Sequence, residues 1–295
     1  MSGALLTTLS ILLELVVIGL TQGAIYGLES LGLSLIFGVM RITNSAHGAF
    51  YTIGAYAGFV ITIQLGFAPA LAIIVAVLAT FVIGVLLEVA TVDPLTENPS
   101  SVMIITFAFA VLTEQISLTL WGGAYLGAKP LFQGETTILG ASLENQRWAA
   151  LSLAVLITLM VFTFLSKTKL GKATRAVSQN KEIAETLGVD VRKISILTFS
   201  LGVCLAGVSG ALLAPLFSVY PSMGWDSLTL AFVVVILGGM GNLTGTILAG
   251  ILYGVVESFT EFYIPPLTGI LILVVAILVF IFKPSGLLGE VVERG

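Results

Sequence analysis

The feature that most constrains this chain is a succession of apolar runs with few or no charges, each about as long as a bilayer is thick. LAIIVAVLATFVIGVLLEVA, from Leu71, is one of them, and a hydrocarbon core takes about 20 residues of helix. Lipid offers no partner for backbone N–H and C=O groups, so a spanning segment is either a helix or a strand of a closed barrel. Barrel strands are short and alternate apolar with polar residues; this run does not alternate. The 295 residues are 57% hydrophobic and 9% charged, with mean hydropathy +1.11, against about 25% charged in soluble domains. The expectation is an all-α polytopic helical membrane protein.

Apolar runs and turn residues predict spans near residues 8–38, 49–65, 69–91, 102–121, 148–166, 194–214, 227–240, 245–262 and 267–283. That is about eight or nine spans, including broken or re-entrant segments, in a single transmembrane domain over 1–295. The first run is long for one span, and Gly19, Gly23, Gly27 and Gly32 give it places to bend, tilt or break. The N-terminus lacks the basic region of a signal peptide and reads as part of that span. Cys204, the single cysteine, lies in an apolar run and reads as a small packing residue.

Basic residues set the orientation. Seven of the 12 Lys and Arg residues fall in the segment 167–193: Lys167, Lys169, Lys172, Arg175, Lys181, Arg192 and Lys193. The excess of Lys and Arg in cytoplasmic loops puts this segment inside. Threading outward from it places Arg41, Lys283 and Arg294 inside and Lys129 and Arg147 outside. The N-terminus is then external and the C-terminus cytoplasmic. Residues 121–147 form an external loop, Gly-rich and polar, with room for a short hairpin.

The chain's one histidine sits in a polar break, GVMRITNSAHGAFYTIGAY, between two apolar runs. A second break, GGMGN, follows Gly238. Irregular backbone at membrane depth survives only inside protein or beside a watery cavity. One reading is that the two breaks converge on a permeation route or its inner gate, through Asn44, His47, Gly238, Gly239, Gly241 and Asn242. The other is that each is an ordinary turn between helices. For His47 the plainer reading, an imidazole bonded to a backbone carbonyl, is favoured. The two breaks also echo each other, each with a Gly-x-Met turn, then Asn and small residues before a Gly-rich helix. Acids within spans are costly and are usually paired or functional. Glu88 and Glu114 read as interfacial; Glu29 and Glu257 are the better candidates for polar contacts along a solute route.

Within the basic segment Asn180 suits a helix N-cap, with Lys181 and Glu182 following. Ile183, Ala184 and Leu187 recur at helical spacing, and Gly188 suits the left-handed turn that ends a helix. This short amphipathic helix has nothing obvious in the chain to cover its apolar stripe, and such a stripe suits a groove on another protein. A cationic linker lying on lipid would explain the charge but not the cap, stripe and glycine together.

The stretch EIAETLG, Glu182 to Gly188, is similar to the Glu-Ala-Ala, three residues, Gly signature of ABC importer permeases. YGLESLGLSLIFGVMRITNSAHGAFYTIGAY resembles the first block of LivH-type branched-chain amino-acid permeases. Gly171, Arg175 and Ala176, then Phe199, Gly202, Ala206, Gly207 and Gly210, then LGGMGNLTGTILAG with Glu257, and finally KPSGLLG match later blocks in order. The chain departs from the family at Glu29, Ala49, Asn242 and the DPLTENP segment. The resemblance implies a permease subunit of a prokaryotic cell-membrane importer for branched-chain or related neutral amino acids. Asn180, Lys181, Glu182, Ala184, Leu187 and Gly188 would receive work from the ATPase. Implied partners are a second, LivM-type permease, two ABC ATPase subunits, an extracytoplasmic solute-binding protein and membrane lipid, with no nucleic acid.

The chain has no phosphate-binding loop of its own: LGKAT, from Leu170, lacks the spaced first glycine. One histidine and one cysteine make no metal-ligand cluster, and no nucleophile elbow is present. The expectation is a transport subunit that is not an enzyme and binds no cofactor, with ATP used by its partners. Urea, short amides and other small polar solutes remain alternatives as substrate, and an ATP-independent channel or secondary carrier remains an alternative as mechanism.

Overall fold

The computed structural model describes residues 3–96, 98–138, 140–283 and 285–289. The expectations for Glu97 in DPLTENP, Pro284 in KPSGLLG, Arg294 and the C-terminus lie outside the described residues. Eleven α-helices and one two-stranded hairpin make up the described chain. Six of the helices are long and apolar enough to cross a membrane.

The first helix, α1 (Gly3–Met40), runs 38 residues without a break, a length of about 57 Å at 1.5 Å per residue. Its glycines serve close approach instead of bending. A Cβ on Gly23 would lie 2.7 Å from the Cα of Ile251, and one on Gly19 2.7 Å from that of Val255. Both partners belong to α10 (Leu243–Tyr263), whose Gly250 and Gly254 face α1 in turn. Small residues one turn apart let two backbones touch along a shared seam, a common device between membrane helices.

After six irregular residues the chain re-enters helix at α2 (His47–Phe59), which continues through wider π turns to Gln64. Its start is two residues earlier than the 49 expected from sequence. Proline at the first helical position opens both α3 (Pro69–Leu87) and α4 (Pro99–Trp121), where its missing N–H costs nothing. Asn98 caps α4 by accepting from the Ser101 amide at 3.3 Å. On α3 the exposed residues Ile74, Leu78, Val82 and Leu86 recur every fourth position, which makes an apolar stripe suited to lipid.

Residues between α4 and α5 (Asn145–Lys167) include the hairpin of β1 (Glu135–Ile138) and β2 (Ala141–Glu144), with Glu135 opposite Glu144 and Ile138 opposite Ala141. Leu126 in the same segment exchanges backbone hydrogen bonds with Val219 at 2.9 and 2.8 Å. The segment after α8 (Val191–Leu213) is thereby held at the same end of the bundle.

Two short helices join α5 to α8. The second, α7 (Lys181–Thr186), is the one expected from the cap and glycine; the first, α6 (Lys169–Gln179), is an addition that the sequence pattern does not predict. Thr168 caps α6 through the Gly171 amide at 2.9 Å. A Cβ on Gly171 would meet the Phe164 carbonyl oxygen at 2.2 Å, so glycine is what lets α6 fold back on α5. The last helices are α9 (Met223–Gly238), α10 and α11 (Thr268–Phe282).

The core centres on α8, buried along most of its length and packed against α1, α2 and α3. Phe50, Phe199, Ile25, Leu28 and Leu212 are all fully buried there. A smaller core of Leu35, Val39, Leu165, Val177, Ala184, Val191 and Ile194 ties α6 and α7 to the far end of α1.

Candidate functional site

The helices α1, α2, α9, α10 and α11 enclose a cavity of about 640 Å³ toward the end of the bundle that carries the hairpin. Ligand sites commonly run from about 300 to 1,000 Å³. α1 contributes Tyr26 and Glu29, three residues apart on one face, and α10 contributes Tyr253 and Glu257, four apart. Tyr51 comes from α2, and Asp226 and Ser227 from α9. The rings of Tyr26 and Tyr253 meet edge to face with centroids 5.6 Å apart.

The polar groups hold one another. Ser227 donates its hydroxyl hydrogen to Oε1 of Glu29, and Tyr26 and Glu257 line the cavity together. Oε2 of Glu257 is buried without a hydrogen-bond partner. At the mouth, Tyr220 donates to Asp226 Oδ2 at 2.8 Å. Burial first, and then Asp226, push the Tyr220 hydroxyl up to about 12, so it remains a donor at physiological pH.

His47 stands behind this wall. It is fully buried, and its Nε2 lies 3.0 Å from the backbone carbonyl oxygen of Glu29. A carbonyl only accepts, so Nε2 carries the proton. His47 therefore fixes the turn of α1 that presents Glu29, and does not itself line the cavity.

Of the remaining candidates of the two polar breaks, the glycines and Asn242 lie toward the other end. α1 carries Gly38 nine residues beyond Glu29, about 13 Å further along its axis. Gly38 packs on Gly241, with a Cβ there only 3.3 Å from the Gly241 Cα, so the two breaks do meet. Gly239 and Gly241 hold φ of +100° and +80°, which glycine adopts without steric cost. Gly238 is pressed against Gly245, 2.5 Å from a built Cβ. Asn242 caps α10 through the Gly245 amide at 2.8 Å and donates to the Leu288 carbonyl at 2.7 Å. Asn44 is buried and accepts from the Ala46 amide at 3.0 Å, closing the turn before α2. The structure thus brings Glu29 and Glu257 together around one cavity, with His47 behind. It sets Asn44 in the turn before α2, and Gly238, Gly239, Gly241 and Asn242 at the turn from α9 to α10.

The other two acids named from sequence are placed differently. Glu114 accepts from Trp225 Nε1 at 2.7 Å. Glu88 is fully buried where α3 widens into π turns, and neither carboxyl oxygen has a hydrogen-bond partner. The tyrosines and Ser227 were not anticipated. The spacings Tyr26 to Glu29 and Tyr253 to Glu257 were a usable signal, because each pair shares a helix face.

At the basic end, Asn180 caps α7 by accepting from the Ile183 amide at 3.0 Å, and Gly188 holds φ +82°. Ala184 turns inward and is buried, while Lys181, Glu182, Ile183 and Leu187 are exposed, Leu187 at 77%. Asp190 then caps α8 through the Lys193 amide at 3.1 Å and pairs with its ammonium at 2.8 Å. These hydrogen bonds hold the Asp190 carboxyl below its ordinary value.

A family model described as "Branched-chain amino acid transport system / permease component" matches residues 15–280. The chain is 28% identical to the high-affinity branched-chain amino acid transport system permease protein BraD of Pseudomonas aeruginosa, over 94% of this chain and 96% of that one. It is 27% identical to the LivH permease protein of Salmonella typhimurium, over 92% and 94%. A solved inward-facing conformation of a metal-chelate type ABC transporter superposes with TM-score 0.50 at 18% identity, covering 93% of this chain and 88% of that chain, and so shares the fold. With nearly the whole chain matched, from the first long helix to the last, this protein belongs to the branched-chain amino acid transport system permease family.

Proposed function

We propose that this chain is the membrane-spanning permease subunit of an ABC importer that moves branched-chain or related neutral amino acids inward by alternating access. The observation that carries the reading is α7, a capped helix at the basic end whose Ile183 and Leu187 are exposed while Ala184 is anchored in the small core. Such an element is anchored on one side and presents two apolar side chains among charged ones on the other, which suits it to pass force from a docked ATPase into α5, α6 and α8. The cavity at the opposite end is of a size for a solute, and the Gly38–Gly241 contact closes the route beyond it.

On this reading nine crossings thread the membrane in one domain, with the shorter α2, α9 and α11 completing the six long helices. The N-terminus is external, the 121–147 segment is external and residues 167–193 are cytoplasmic. A second permease, two ATPases and an external solute-binding protein complete the transporter. This chain hydrolyses nothing itself, and differential binding to the outward and inward states couples solute to ATP. Asn44, Gly238, Gly239, Gly241 and Asn242 form the hinge of the inner gate, and Glu29 and Glu257 face the solute.

The test is co-purification of the ATPase subunits with the permease from the native membrane. Retention with the unaltered chain and loss on Glu182→Arg or Gly188→Val supports the reading. Labelling of a cysteine introduced at Lys181 from outside intact cells would reverse the threading and remove the ATPase attachment with it.

A further inference from the structure

The cavity holds acids and aromatic rings but no cation. Glu29, Asp226 and Glu257 line it together with Tyr26, Tyr51 and Tyr253, and none of its described lining residues is Lys, Arg or His. A buried carboxylate is costly unless something pairs with it. Glu29 has one such partner in Ser227, whereas Oε2 of Glu257 is enclosed and unpartnered. The tyrosine faces add a second attraction for positive charge, since a ring face draws a cation within about 6 Å of its centroid. Among the described residues no three His, Cys, Asp or Glu side chains converge as a metal site, and the tyrosine faces suit an organic cation.

We infer that this cavity selects the nitrogen end of the solute: a primary ammonium or amide N–H₂ donates to Glu257 and Glu29 and packs against the tyrosines. The inference rests on the permease reading and gives it a direction. A solute carboxylate would face three acids here with no countercharge, so in a zwitterion that group points away from this chain. Replacing the carboxylate by an amide therefore leaves recognition by this cavity intact, whereas removing the nitrogen abolishes it.

Four probes that share the isobutyl side chain test this on the purified transporter, with this chain and its partner subunits in lipid nanodiscs and the external binding protein omitted. They are leucine, leucinamide, isoamylamine and 4-methylpentanoate, and binding is read by calorimetry and by thermal stabilisation. Isoamylamine and leucinamide are expected to bind, and 4-methylpentanoate to bind at least about tenfold more weakly, a difference of about 1.4 kcal/mol. Glu257→Gln should weaken isoamylamine by a similar factor. Tyr253→Leu, which keeps every carboxylate, should weaken isoamylamine and leucinamide alike, since both carry the ammonium that meets the ring face. The idea is overturned if 4-methylpentanoate binds as well as isoamylamine, if neither nitrogen-bearing probe binds, or if Glu257→Gln leaves isoamylamine binding unchanged. Failure of the permease reading shows elsewhere, as absence of co-purifying ATPase, so the two can fail separately.

Discussion

His47 Nε2 and the backbone carbonyl of Glu29 lie 3.0 Å apart, joining the first residue of α2 to the middle of α1. The bond couples the polar break after α1 to the wall of the cavity, because the turn it pins is the one that presents Glu29 toward Ser227. Any movement that swings α2 away from α1 has to release it.

Replacing His47 by Ala removes this donor and leaves a void in a fully buried site. The expected cost is about 1–3 kcal/mol, read as a lower midpoint in thermal unfolding of the detergent-solubilised protein. Solute binding should weaken in the same variant, because Glu29 loses its fixed direction. An unchanged midpoint would show that the bond is not made.

The packing of α2 on α8 gives a sharper contrast. A Cβ on Gly54 would sit 1.8 Å from the carbonyl oxygen of Gly207, backbone that cannot move aside alone. Gly54→Ala is expected to cost at least about 1–3 kcal/mol, the usual range for overpacking, and to reduce the folded yield in size-exclusion chromatography. Gly127→Ala, where nothing lies within 4 Å of the added carbon, should elute as the unaltered protein does. Equal behaviour of the two variants would contradict the α2–α8 interface.

Force transmission can be separated from folding at α7. Leu187→Ser changes a side chain that is 77% exposed, so the melting midpoint should stay where it is while ATPase association falls. Asn180→Ala removes the cap and should destabilise this short helix by about 0.5–2 kcal/mol. The measure is amide hydrogen exchange at Ile183, which should speed up. If Leu187→Ser holds the ATPase as firmly as before, the exposed face of α7 is not the docking surface.

The Asp190–Lys193 pair sets a pH dependence of definite sign. Hydrogen bonds from Lys193 lower the folded-state pKa of Asp190, so the carboxylate's contribution is in place above the unfolded value and is lost as pH falls through the folded one. The N-terminus of α8 should therefore fray only under acid conditions below the usual aspartate range. An NMR titration of the Lys193 amide would show the midpoint, and Asp190→Asn should flatten it. A midpoint at or above the ordinary aspartate value would reverse the sign.

Much of the architecture was legible because lipid imposes a simple rule. A run such as that from Leu71 has to be helical, and Asn180, Gly188 and Asn242 carry local conformational preferences that act wherever the chain goes. The α6 helix escaped notice because its amphipathic pattern is carried by polar and small residues, Lys169, Gly171, Lys172 and Thr174 among them, and its reason to fold back lies in Gly171 meeting α5. Glycine spacing in α1 was visible, but whether it meant a bend or a seam depended on α10, more than 200 residues later in the chain.

The sequence alone therefore determined that this is a helical membrane protein, where its long apolar helices begin and end to within a few residues, and which segment carries the positive charge. These follow from backbone hydrogen bonding in lipid and from local capping. Only the tertiary structure decided that Glu29 and Glu257 share a cavity with three tyrosines, that His47 supports one of them from behind, and that Asn44 and Asn242 sit in turns. Those relations depend on helix rotation and on which faces meet, and close backbone contacts at distant glycines fix both.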